Sequence, residues 1–522
     1  MGDRTEIAGT MDASLVAPPP SFADPRRREK LASAYDDVDR IFAAFRERHR
    51  IPGVAYGVVV DGELAHAGGV GMRDVAVEAP VDADSVFRIA SVTKSLTAAC
   101  VLLLRDEGRL CLDDPVAAHV PELAALRYPA LDAAPMTVRQ LLSMSSGLVT
   151  DDAWADRHLD TPHEEFGAWL RAGVAFTHAP GIAFEYSNVG YGVLGRVVTN
   201  VSGRPARAFA EERVLGPLRM SSTTWDAEAI PGDRIARGYR LEDDAWVTEA
   251  PLADGALGAM GGLATSVRDY ASYVGLHLSA WPPRDAPDEG PLRRSSLREM
   301  QQLWRIGPTF MADGDADDDE EGSDAALPPV ARWRADGYGY GLTSGLHDAF
   351  GPVVAHSGGL PGFGTHVRWL PDHGVGMIGF ANLTYARASV PVARTLDALA
   401  RTGGLVPRIP HPSPALVAAR DAAVALYRAW DDDAVAALAA DNLFPDLSLD
   451  HRRRAWEELR AIAGACVEVG GERLAGALRG TWRLRCERGA VDLTVALSPV
   501  IPPRVQTLLF ERVQGDGSAA GA

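Results

Sequence analysis

Ser91 and Lys94 stand three residues apart in the run Phe87-Arg88-Ile89-Ala90-Ser91-Val92-Thr93-Lys94-Ser95-Leu96-Thr97, where an apolar helix is predicted to begin. Positions i and i+3 share a helical face, so the Lys94 amine comes within reach of the Ser91 hydroxyl. A serine hydroxyl becomes a nucleophile when a neighbouring base takes its proton. A lysine is such a base only if burial or nearby cations hold it neutral. Alone, an S-x-x-K tetrad recurs on many surface helices, where its lysine is a solvated charge. Two later segments supply partners. Pro180-Gly181-Ile182-Ala183-Phe184-Glu185-Tyr186-Ser187-Asn188 places a Y-x-N triplet, Tyr186 and Asn188, straight after a proline-glycine turn. The β-branched run Val353-Val354-Ala355 leads into His356-Ser357-Gly358-Gly359.

Taken in order and with their wide spacing, these motifs resemble those of the penicillin-recognising serine hydrolases: DD-peptidases, class C-type β-lactamases, D-aminopeptidases and family VIII carboxylesterases. Leu141-Leu142-Ser143-Met144-Ser145-Ser146-Gly147-Leu148, Asn188-Val189-Gly190-Tyr191 and Gly258-Ala259-Met260-Gly261-Gly262-Leu263 add to the resemblance, which runs from about residue 35 to 400. It implies Ser91 as nucleophile, Lys94 as general base, and Tyr186 as a proton relay in phenolate or phenol form. Asn188 would bind the Lys94 amine and a substrate oxygen. The Ser91 backbone N–H and that of Gly359 would hold the oxyanion, with Ser357 and Gly358 completing the substrate-binding edge.

Chemistry refines these expectations. A phenol with an ordinary pKa near ~10 works as a base at neutral pH only beside cations, a setting expected from Lys94 and His356. His356 departs from most β-lactamases, which carry lysine there. A histidine can donate, accept or shuttle a proton at pH 7, which argues against efficient β-lactam hydrolysis. Asp151, Asp152 and Trp154 follow the Leu148 loop, and Trp304, Phe310 and Phe363 are candidate apolar walls.

The elements that must position these residues alternate along the chain. Residues 1–30, with Pro18-Pro19-Pro20, read as a flexible arm. Leu31 to Arg50 has helical apolar spacing, and Gly53–Val60, an Asp61-Gly62 turn and a second run from Glu63 read as a β-hairpin. The helix carrying Ser91 should stop at Gly108. Helices and long loops fill 115–335; strands return over 336–382, including Gly337–Leu342, before a closing helix over Val390–Ala400. Strands at both ends with helices between them predict an α+β fold, an α/β sandwich with one antiparallel sheet and an inserted helical lobe. The resemblance implies the same β-lactamase/transpeptidase-like layout over 31–403. A proline-rich linker, 404–414, leads to a small C-terminal α+β domain, 415–522, with helices over 415–439 and 452–464, then alternating strands; it looks like a cone-shaped domain of the nuclear-transport-factor type.

Composition bounds the rest. The 522 residues are 47% hydrophobic with a net charge of −18, which disfavours nucleic acid and anionic membranes as partners. Eight acidic residues and no basic one fall between Ala312 and Pro329, which reads as a solvated loop. No segment has the length or continuity of a signal peptide or a membrane span, and Cys100, Cys111, Cys466 and Cys486 fit no metal spacing. The expectation is a cytoplasmic enzyme without cofactor or metal, with reduced cysteines and with a homodimer left open. It would act through an acyl-enzyme on a small ester, or on a peptide or amide with a D-residue. Acyl transfer to an amine or alcohol, peptide cyclisation, β-lactam hydrolysis and non-catalytic ligand sensing are the alternatives.

Overall fold

The structure, a computed structural model, describes residues 12–226, 229–307 and 334–513. The chain forms two compact units, 24–407 on one side and 1–23 with 408–522 on the other.

The larger unit is built on a nine-stranded sheet in the order Ala79–Pro80, Glu63–Asp74, Gly53–Val60, Val375–Ala381, Phe363–Leu370, Gly351–Leu360, Thr343–His347, Arg334–Tyr338, Arg305–Ile306. Every pairing is antiparallel. The α+β reading therefore holds. Gly53–Val60 is buried along its whole length, because both sheet faces are covered and a two-sided strand must be apolar at every position. Val54, Tyr56, Val58 and Val60 point to a core shared with Val38, Phe42, Val392 and Leu396; Ala55 and Val59 point to a larger core beneath the helical lobe. The Asp61-Gly62 turn has both residues at positive φ, 54° and 86°, the geometry that lets a two-residue loop follow the strand twist.

Some boundaries differ from the sequence reading. The helix expected over 31–50 is two, Arg27–Ala32 and Tyr35–Arg48. Within the stretch expected to be an arm, Arg27 is buried and pairs with Asp61 at 2.9 Å, while Ser21 bridges to Ile409. The run Gly337–Leu342 is not one strand: it ends Arg334–Tyr338, then turns before Thr343–His347. Gly341 makes that turn at φ +67°, packed so closely that a Cβ there would lie 2.5 Å from the Lys94 carbonyl oxygen. Only glycine lets the turn rest on the start of the nucleophile's helix.

In the smaller unit a four-stranded antiparallel sheet, Cys466–Gly476, Arg479–Cys486, Gly489–Leu497 and Val505–Arg512, packs its apolar face on helices Pro414–Arg428 and Leu449–Ala463. The single helix expected over 415–439 breaks at Ala429, and Asp431 caps a second one, Asp432–Leu438. All four cysteines are free thiols. Among the described residues no helix is long and apolar enough to cross a membrane.

Candidate active site

Ser91 lies on a short 3₁₀ turn, Ala90–Thr93, that runs straight into the helix Lys94–Asp106. The helix expected to begin around Ser91 thus begins three residues later. Ala90, just before the serine, is held at φ +50°, a left-handed conformation that costs a non-glycine residue roughly 1–2 kcal/mol. Ser91 remains half-exposed at the head of this turn, while Lys94 and the ten residues after it are buried. A helix buried all round is part of the core, so its first side chain is held without freedom to wander. It ends before Gly108, at φ +72°, as expected.

Lys94 Nζ makes three contacts: 2.9 Å to Ser91 Oγ, 2.6 Å to Asn188 Oδ1 and 2.9 Å to the Met260 carbonyl oxygen. Asn188 Nδ2 donates to Asp152 Oδ1 at 2.8 Å, which fixes the amide with its oxygen toward the lysine. The consequence is specific. Asn188 Oδ1 and Met260 O can only accept, so a neutral Lys94 spends both N–H groups on them. Its lone pair then faces Ser91, the one partner with a proton to give.

The supports have local causes. Asn188 opens the helix Asn188–Ser202, whose N-cap Ser187 accepts from Gly190 N–H. Asp151 closes the same terminus, accepting from Asn188 N–H at 2.7 Å and Val189 N–H at 2.8 Å. The Met260 carbonyl comes from the glycine-rich turn Gly258–Gly261, where a Cβ on Gly258 would collide with Asp254 Oδ1.

Burial pulls Lys94 down to about 8, against Asp152, Asp156 and Asp151, which favour its charged form. Burial also pushes Tyr186 well above the ordinary phenol range, with Asp152 adding to it and a hydrogen bond with Ser91 opposing. The phenolate form expected as one option for Tyr186 is therefore disfavoured; it stands beside Ser91 as a phenol, its ring 4.9 Å from Lys94 Nζ.

His356 differs from expectation too. Its Nδ1 lies 2.6 Å from the Ser357 carbonyl oxygen and its Nε2 2.8 Å from the Tyr338 hydroxyl. A carbonyl only accepts, so Nδ1 carries the proton, and Nε2 accepts from Tyr338. Burial, with Lys94 repelling a second charge, holds His356 down to about 3. It is neutral at pH 7 and is not the cation expected beside Tyr186. Ser357, exposed on the cleft, has its hydroxyl 2.8 Å from His366 Nδ1.

Strand Gly351–Leu360 brings Ser357, Gly358 and Gly359 past Ser91. A Cβ on Gly358 would meet the Ile89 carbonyl oxygen at 2.3 Å, and one on Gly359 the Tyr385 ring at 2.6 Å. A cleft of about 690 Å³ joins Ser91, Tyr186, His356, Ser357 and Gly359 with Thr150, Asp152, Asp156, Phe184, Glu185 and Tyr385. The expected site residues are thus brought together. Of the expected walls, Trp304 stacks on Tyr340 and Phe363 lines a neighbouring cavity, while Trp154, after the Leu148 loop, stacks on His158 and tilts against Trp169. Phe310 and the acidic run 312–329 lie outside the described residues. Sequence reasoning missed Asp156, Tyr338 and Tyr385, none of which belongs to a motif; each arrives by the path of the chain. No group of three or more His, Cys, Asp or Glu side chains that could hold a metal occurs among the described residues.

The beta-lactamase family model matches residues 38–402, and the chain belongs to that family. Protein flp of Staphylococcus aureus (strain MW2) is 31% identical over 216 residues, 41% of this chain and 43% of that protein. The uncharacterized protein MT1414 of Mycobacterium tuberculosis is 30% identical over 240 residues, 41% of this chain and 59% of that protein. The match thus spans less than half the length of Protein flp. Among solved structures, the octameric penicillin-binding protein homologue from Pyrococcus abyssi superposes with a TM-score of 0.58 at 21% identity, covering 91% of this chain and 95% of that one. This likeness supports the fold assignment: a large antiparallel sheet with helices, of the penicillin-binding-protein type.

Proposed function

We propose that the protein is a serine hydrolase that works through an acyl-enzyme on a small ester, or on a peptide or amide. The observation that carries this reading is the Lys94 environment: a buried amine whose two acceptor-only neighbours leave its lone pair to Ser91. As Ser91 Oγ bonds to the substrate carbonyl carbon, its proton passes to Lys94 Nζ, and the carbonyl oxygen takes the negative charge. The Ser91 and Gly359 backbone N–H groups are the proposed oxyanion donors. The tetrahedral species collapses, and the leaving oxygen or nitrogen takes that proton, with the Tyr186 phenol as relay. Water then attacks the ester, gives its proton to Lys94, and Ser91 recovers a proton as the acid leaves.

The cleft sets Asp152, Asp156, Glu185 and Thr150 beside the rings of Phe184, Tyr186 and Tyr385, so water and a less polar acyl acceptor both find matching walls and the products decide between them. Product analysis with an added amine nucleophile separates hydrolysis, which yields free acid alone, from acyl transfer, which yields the amide. The cytoplasmic address is part of the same proposal and is checked by cell fractionation. Fluorophosphonate labelling tests the whole reading: wild type labels and Ser91→Ala does not. An unlabelled wild type, or an equally labelled Ser91→Ala, rejects it.

A further inference from the structure

The smaller unit carries two of the four thiols, and its strand register sets them face to face. Cys466 opens the strand Cys466–Gly476 and Cys486 closes Arg479–Cys486; in the antiparallel pairing of these strands they are direct partners. Residues so placed point to the same side of the sheet. The kind of pair follows from the bond just outside it. Glu487 N–H donates to the Ala465 carbonyl oxygen at 3.0 Å, so the ladder bonds flank Cys466 and Cys486 rather than join them. A non-hydrogen-bonded pair has its α-carbons about 4.5 Å apart, with the side chains at their closest. That separation lies within the span a disulfide bridges, about 4.4–6.8 Å.

Little holds the two thiols apart. Cys486 is buried in the core of this unit, and Cys466, half-buried, packs against the same core. Their protons have weak uses: Cys486 Sγ lies 3.4 Å from the Tyr427 hydroxyl and Cys466 Sγ 3.6 Å from the Glu468 carbonyl oxygen. A thiol is a poor donor, and Tyr427 keeps its own bond to the Gly464 carbonyl at 3.2 Å, so losing those protons costs little. Burial, with Cys486 adding to it and Arg428 opposing, raises the Cys466 thiol above its ordinary range, and its exchange quickens with alkali. Cys466 also begins an edge strand, the element of this sheet with a neighbour on one side only. The other two thiols, Cys100 and Cys111, belong to the larger unit, one buried and one exposed.

We propose that Cys466 and Cys486 are a reversible modification site, closing to a disulfide that fastens the edge strand to its neighbour when a low-molecular-weight disulfide is present. Cys466, the thiol that solvent reaches, loses its proton and attacks one sulfur of the oxidant; the oxidant's S–S bond breaks and its first thiol leaves with a proton. Cys486 then attacks the Cys466 sulfur of the mixed disulfide and expels the second thiol. Two protein thiols are oxidised by two electrons, and one oxidant disulfide is reduced to two thiols. Excess thiol reverses both steps. The test uses the full chain, equilibrated with oxidised glutathione at about pH 8, near the ordinary thiol range. It is then blocked with N-ethylmaleimide in urea and digested with trypsin. Peptides 461–473 and 486–488 should be recovered linked, about 2 Da lighter than their reduced sum, and should part in dithiothreitol. Cys111 should carry glutathione instead. Amide exchange over Cys466–Gly476 should slow by about tenfold on oxidation, and not in Cys466→Ser. Glutathione or maleimide on both Cys466 and Cys486 with no linked peptide overturns the proposal, as does linkage of either to Cys100 or Cys111, or exchange unchanged by oxidation. The peptide readout needs no substitution, so it decides the question even where Cys466→Ser does not fold.

Discussion

Lys94 and His356 are two bases buried at one cleft, and they end in opposite states. Both lose hydration, which disfavours the charged form. Around Lys94 three aspartates oppose that loss and stop the fall at about 8. Around His356 only the Ser357 carbonyl opposes, Lys94 adds repulsion, and the fall continues to about 3. At pH 7 roughly a tenth of Lys94 is already neutral, whereas His356 has no proton left to lose in that range. Equal burial thus yields a working base in one corner and a fixed, uncharged wall in the other. Neighbouring charge, more than depth, decides which buried group does proton chemistry.

The strongest way to break the comparison is to remove the reacting pair. Ser91→Ala and Lys94→Arg should each lower ester turnover by at least ~10³-fold, the second because a guanidinium cannot deprotonate. Steady-state kinetics on p-nitrophenyl esters checks both, and a Lys94→Arg enzyme with near wild-type rate would refute the role given to the amine. Next comes Gly358→Ala, whose Cβ would sit 2.3 Å from the Ile89 carbonyl and 2.4 Å from Thr365 Oγ1. Overpacking of this kind costs about 1–3 kcal/mol. Denaturant unfolding should show that loss, together with weaker labelling of Ser91.

A third prediction concerns the cost of keeping Lys94 buried. Its pKa is lower folded than unfolded, so the charged amine destabilises the fold below pH 8. That penalty, about 3 kcal/mol, vanishes as pH rises from about 8 toward the unfolded value. Lys94→Met should therefore be inactive, and because it leaves Asn188 Oδ1 and Met260 O without their donor its test is the pH dependence: wild type should gain stability relative to Lys94→Met as pH rises from 7 to 10. A stability difference that stays constant over that range would contradict the assignment. Fourth, Asp152→Asn removes the foremost charge opposing desolvation. The alkaline step in its rate profile should move to lower pH, by about one unit. The smallest expected effect is none: by NMR, the His356 imidazole should hold one tautomer, protonated at Nδ1, and should not titrate between about pH 5 and 9.

Much of this cleft was legible in the residues themselves. Ser91, Lys94, Tyr186, Asn188 and the His356–Gly359 run sit in local patterns, and local patterns survive any arrangement of the intervening chain. The hairpin was legible for the same reason, because Asp61-Gly62 between two apolar runs specifies its own turn. Asp156, Tyr338 and Tyr385 were not. Asp156 and Tyr385 reach the cleft from the end of a short helix and a loop, Tyr338 reaches His356 from a strand end, and their neighbours in space are far away in sequence. Protonation was also beyond reach, since the neutrality of His356 depends on burial and on the nearby Lys94. Boundaries slipped where turn chemistry hides inside an apolar run, as at Gly341 and at Ala429.

The most direct test of the account is the pH dependence of Ser91 acylation by a fluorophosphonate, followed from pH 5 to 10. A neutral Lys94 facing the serine predicts a single rise centred on about 8, shifted downward in Asp152→Asn. A flat profile, or a step near 6.5 that disappears in His356→Gln, would show that the proton leaves by another route.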